Sequence, residues 1–125
     1  SSNKGMKLVK NHKVLLGRLI YEAYRKIGKN LIKPTNQQLL MSLADILIEI
    51  YATESAILRA QKTGKAKQTQ LAMYYQYESN QKIRKFANEI ADELDAGMFL
   101  NVVINNLTHI ETLKPYKLSN NIFDI

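Results

Sequence analysis

The chain has 125 residues, 46% of them hydrophobic, enough to bury the core of one domain. Cysteine is absent, which excludes a disulfide framework, a thiolate nucleophile and any sulfur-ligated metal. The formal charge of +7 sits at one end: residues 1–33 hold nine Lys or Arg against the single acid Glu22, whereas residues 34–125 hold nine against ten acids.

Five glycines and two prolines punctuate the chain, and apolar residues recur at helical spacing, so the expected fold is an all-α bundle of three long helices, a short fourth helix and a C-terminal docking tail. All of residues 1–125 are expected to form a single domain. Residues 1–5, opening Ser1-Ser2-Asn3, are set apart as a foreign remnant or an unstructured start. The first helix is expected over 7–33, with Leu16, Leu19, Ile20, Ala23, Tyr24 and Ile27 on one stripe. Gly17 and Gly28 each weaken it by about 1 kcal/mol relative to Ala, so it depends on packing. Its basic residues Lys7, Lys10, Lys13, Arg18, Arg25, Lys26, Lys29 and Lys33 are the candidate partner or membrane surface. Such a concentration of charge suits an acidic protein, an anionic membrane or nucleic acid, and equally a merely solvated face. Pro34 ends the helix.

Thr35 followed by Gln38 has the spacing of a capping box, which predicts the start of the second helix. Apolar residues from Leu39 to Tyr51 then occupy almost its whole circumference, so this helix is expected at the centre, covered on nearly all sides, running to about Lys62 and stopped by Gly64. Ser42, Asp45 and Glu49 interrupt the apolar run, which is shorter than the roughly 20 residues a membrane span needs. Met6 is followed by lysines, unlike a signal peptide. The expected location is cytoplasmic or peripheral to a membrane.

A loop is expected over 63–69 and a third helix over 68–96, with Leu71, Tyr75, Ile83, Phe86, Ile90 and Leu94 inward. Glu89, Asp92, Glu93 and Asp95 crowd its C-terminal end, where the helix dipole disfavours negative charge, which predicts a basic neighbour from the first helix. Gly97 is expected to stop it, and 98–107 to form the fourth helix. Residues 108–125 read as a tail, of which 114–125 is the docking part, because Leu113, Tyr116, Leu118, Ile122, Phe123 and Ile125 are too apolar to stay in water.

Chemistry is sparse. His12 and His109 lack a second ligand at helical spacing and read as surface histidines. Gly64-Lys65 has one glycine and no preceding strand, so it is no phosphate loop. Asp45 and Glu49 share a helix face, but without Glu-x-x-His repeats they read as a polar stripe paired to first-helix bases, and Glu54 and Glu78 read likewise. Tyr74, Tyr75 and Tyr77, near Lys82 and Arg84, point in different directions and cannot make one stacking platform for bases. No catalytic, cofactor-binding or metal residue is assigned.

Leu15–Gly64 resembles the start of the C-terminal helical domain of very-long-chain-type acyl-CoA dehydrogenases. The resemblance is carried by Gly17-Arg18, Gly28-Lys29, Gln38, Leu43-Ala44-Asp45, Ile48, Tyr51 and Leu58-Arg59-Ala60 in register. It implies a non-catalytic accessory domain of a larger flavoenzyme that oxidises acyl-CoA to 2-enoyl-CoA with FAD. The domain would pack against the catalytic core of a homodimer and associate with a membrane surface, with Gln38, Ala44, Tyr51 and Arg59 as structural positions beside the N-cap Thr35. The family's flavin contacts and its catalytic glutamate belong to the core, and none of Glu22, Glu49, Glu54 or Glu78 matches that glutamate. The alternative is a free-standing basic helical module that binds a partner, in its weakest form nucleic acid, through the 7–33 face.

Overall fold

A computed structural model describes residues 2–110, so the docking tail expected at 114–125 lies outside the described residues. Four helices, α1 (Ser2–Ile27), α2 (Gln37–Thr63), α3 (Ala66–Glu93) and α4 (Gly97–Leu107), make an all-α bundle, with two short 3-10 turns, Gly28–Ile32 and Pro34–Asn36, between the first two.

α1 begins earlier than its apolar pattern suggested. Leu8, Val9, His12, Leu15, Leu16, Leu19 and Ala23 are buried, a stripe at three- and four-residue spacing that starts well before Leu16. Gly5, which had been set apart from the domain, is buried in it. A Cβ there would stand 3.2 Å from the side chains of Ile57 and Gln76, so its lack of a side chain lets the start of α1 lie against α2 and α3. Rotating the stripe in this way leaves Ile20 and Tyr24, expected inward, 45% and 60% exposed. Each fully buried leucine contributes on the order of 2 kcal/mol of hydrophobic stabilisation.

The capping box does not form. Pro34 opens a 3-10 turn that takes in Thr35 and Asn36, so Thr35 is already wound up and lacks the extended backbone an N-cap needs. Asn36 is the N-cap of α2 without a side-chain bond, and its amide donates instead to the Asn30 carbonyl at 2.7 Å, tying the two turns together.

The buried side of α2 is Leu39, Leu43, Ile46, Ile50, Thr53, Ile57 and Ala60, separated alternately by four and three residues, as in a seam between helices. Among the described residues its neighbours are α3, α1 and the two 3-10 turns. The wrapping expected on nearly all sides is not made by the described residues, which leave Met41, Leu47, Ile48, Tyr51 and Leu58 exposed. Gly64 stops α2 as expected, in the left-handed conformation at φ 66°, with its N–H on the Ala60 carbonyl at 3.0 Å. The loop is shorter than 63–69, since α3 starts at Ala66.

In α3, Ile83, Ile90 and Leu94 are buried as expected, but Tyr75 is exposed and the first half of the inner face is Ala72, Gln76, Ser79 and Asn80. Asp95, not Gly97, ends the helix. Asp95 takes φ 53°, and the Ala96 N–H reaches back to the Ala91 carbonyl at 3.1 Å, the closing bond of a Schellman motif. Gly97 is the first residue of α4, which buries Leu100 and Ile104 against α1 and α3.

Candidate functional site

His12 is fully buried, contrary to the surface position expected from the sequence, because α1 extends back far enough to put it in mid-stripe. Its Nε2 lies 2.7 Å from the Asn80 Oδ1, and the Asn80 amide donates to the Thr108 carbonyl at 3.0 Å. A carbonyl oxygen only accepts, so Nε2 carries the proton and the lone pair is on Nδ1. Among the described residues Nδ1 has no hydrogen-bond partner, and burial holds the imidazole below its ordinary value of 6.5, with the Asn80 contact acting in the opposite direction. Nearby, the Gln76 amide donates to the Gly5 carbonyl at 2.8 Å. Thr53 donates to Ser79 at 3.0 Å, and Ser79 to the Glu49 carboxylate at 2.8 Å. These strings join α1 and α2 to α3, and His12 and Asn80 are closed to solvent, so they position helices and cannot meet a substrate.

The eight candidate cations are all exposed, and four of them are used within the chain. Lys13 bridges Glu54 of α2 at 3.0 Å. Arg25 donates to Glu22 at 2.9 Å; that bond, with the charges of Arg25, Lys26 and Arg18, holds the Glu22 carboxyl below its usual range against the opposing effect of burial. Lys26 donates to the carbonyls of Leu94 at 2.7 Å and Asp95 at 3.3 Å. The basic neighbour anticipated at the end of α3 is thus present, and it contacts the negative end of the helix backbone instead of the acid side chains. Arg18 lies over the Phe99 ring, 5.6 Å from its centroid, a cation–π contact. Lys7, Lys10, Lys29 and Lys33 extend into solvent.

None of the five positions marked as structural is buried. Thr35, Gln38, Ala44, Tyr51 and Arg59 are all exposed, with Ala44 and Tyr51 on the apolar outer side of α2. Glu49 pairs with Lys82 of α3 at 3.9 Å and not with the first helix. Among the described residues no three His, Asp or Glu converge on a metal position, and no helix is long and apolar enough to cross a membrane. The groove along the α2/α3 seam, about 360 Å³, is lined by Gln38, Leu39, Ser42, Ile90 and the carboxylates Glu89, Asp92 and Glu93.

An all-α bundle agrees with what the sequence resembles, and the match is explicit: the model of the family described as acyl-CoA dehydrogenase, C-terminal domain, covers residues 12–109. The chain belongs to that family. No curated protein and no solved structure matches it. The match reaches well past Leu15–Gly64, through α3 and α4. As an acyl-CoA dehydrogenase C-terminal domain the chain is an accessory part of that enzyme family, and the family points to FAD elsewhere in the enzyme. The seam groove does not suit a flavin: the three carboxylates that line it would repel a pyrophosphate.

Proposed function

We propose that this chain is the non-catalytic accessory domain of a larger FAD-dependent acyl-CoA dehydrogenase of fatty-acid β-oxidation, with residues 1–125 as one helical unit. The enzyme oxidises acyl-CoA to 2-enoyl-CoA, and this domain docks on the catalytic core of the homodimer. The observation that carries the reading is the outer face of α2, where Met41, Leu47, Ile48, Tyr51 and Leu58 stand in water. A contiguous apolar face of this kind on a soluble domain is characteristic of a surface that is covered in the functional assembly. A second reading, association with an anionic membrane, is favoured by the exposed Lys7, Lys10, Lys29 and Lys33, each contributing about 1 kcal/mol near such a surface.

The test is a titration of a dehydrogenase that ends before this domain with the purified chain. Saturable binding is expected, with all turnover in the dehydrogenase and none in the chain by itself. Absence of binding contradicts the docking role, and acyl-CoA oxidation by the chain alone contradicts the non-catalytic one. Sedimentation with anionic and neutral vesicles reads out the membrane association, and binding to DNA that weakens steeply with salt supports the free-standing alternative.

A further inference from the structure

Gly17 lies in the middle of the 26-residue α1, where glycine weakens a helix relative to alanine. Nothing among the described residues accounts for it. The positive-φ glycines are Gly28 and Gly64, and a Cβ on Gly17 would meet no atom within 4 Å. Of its six neighbours at three, four and seven residues, Val14, Ile20, Tyr21 and Tyr24 are large and exposed, and the other two are Lys10 and Lys13. Helix geometry places them around Gly17, so the outer side of α1 carries a shallow dent whose walls are mainly apolar, with two lysines at its N-terminal end.

The dent continues onto α2. Contacts of Gly5 with Ile57 and of Lys13 with Glu54 show that the two helices run antiparallel, which brings Leu47 and Tyr51 level with the dent. On α2 the outer apolar positions Leu40, Ala44, Leu47, Tyr51 and Leu58 follow the same alternation of four and three as the buried seam, with Glu54 at the remaining step and bridged to Lys13.

We propose that α1 and α2 form a cradle for one amphipathic helix of the dehydrogenase's catalytic part, whose backbone comes close to α1 at Gly17 and whose edges carry carboxylates. This rests on the docking reading above. The carboxylate at the edge of the cradle, Glu54, is already paired with Lys13, while Lys10 beside the dent is exposed. A second copy of the chain would bring its own basic α1 against this one. A fluid lipid surface has no use for a bare backbone position, and would have to take the Lys13–Glu54 pair into its apolar layer.

The experiment compares Gly17→Ala, Gly17→Leu and Tyr51→Asp with the unaltered chain, by thermal melting and by binding to the dehydrogenase that ends before this domain. The glycine variants fill open space and improve helix propensity, so melting temperatures equal to or a few degrees above the parent's are expected. Gly17→Leu and Tyr51→Asp should each weaken docking at least tenfold, with Gly17→Ala between. Gly17→Leu that docks as well as the parent overturns the proposal while leaving the docking reading intact; no docking by the unaltered chain removes both. Tighter binding of Gly17→Leu to anionic vesicles with unchanged docking assigns the face to lipid, and a dimer of the chain broken by Gly17→Leu assigns it to a second copy; either result also overturns the proposal.

Discussion

Asn80→Ala is expected to lower the unfolding free energy of the domain by about 3 kcal/mol, because it leaves two buried polar groups without partners at about 1–3 kcal/mol each. Asn80 is fully buried and holds the His12 Nε2–H at 2.7 Å on one side and the Thr108 carbonyl at 3.0 Å on the other. Neither group can reach water once the amide is gone. The melting temperature should fall by about 10 °C or more for a domain of this size, as read by a thermal melt followed by circular dichroism. A fall of less than about 1 kcal/mol would mean that the string from α1 through α3 to the end of α4 is not a structural tie.

Acid should destabilise the domain in a window set by His12. Its folded-state value is depressed below 6.5 by burial, while in the unfolded chain it titrates near the ordinary value. As pH falls through 6.5 the unfolded chain takes up a proton that the folded chain refuses, so stability declines from there toward the lower folded-state value; above 6.5 this residue adds no pH dependence. Glu22 acts in a separate window. Its carboxyl, also depressed, contributes stability above 4.5 that is lost only as pH falls through and below that value. Melts at pH 7.5, 6.0 and 5.0 should show a progressive loss in the parent and a flatter profile in His12→Gln, whose amide remains uncharged. Equal slopes in the two proteins would show that His12 is not kept neutral by the fold.

The helical class, the stop at Gly64 and the four-helix layout follow from apolar spacing and punctuation, and the resemblance over Leu15–Gly64 pointed to the family. What sequence reasoning missed has particular causes. Setting residues 1–5 aside removed Gly5 and, with it, the reason to count Leu8 and Val9 in the α1 stripe; His12 was then left outside the core. The Thr35 capping box has the right residues at the right spacing, but Pro34 commits Thr35 to a turn before the helix starts. In α3, counting only apolar residues passed over Gln76, Ser79 and Asn80, which hold inward positions because each finds a partner on another element. The apolar character of α2 was plain, yet periodicity tells how many sides are oily and not how many neighbours arrive to cover them. The apolar outer face was therefore visible in the residues and hidden as a surface, since its exposure depends on which of the described elements pack against α2.

The central claim is that the outer side of α2 is the surface this domain uses. Hydrogen–deuterium exchange of residues 40–58, measured in the chain alone and in its complex with the dehydrogenase that ends before it, tests the claim directly. The account predicts marked slowing there and around Gly17 on complex formation, with the α2/α3 seam at Glu89 and Glu93 unchanged. Protection confined to the seam, or exchange at 40–58 that is the same in both states, would contradict it.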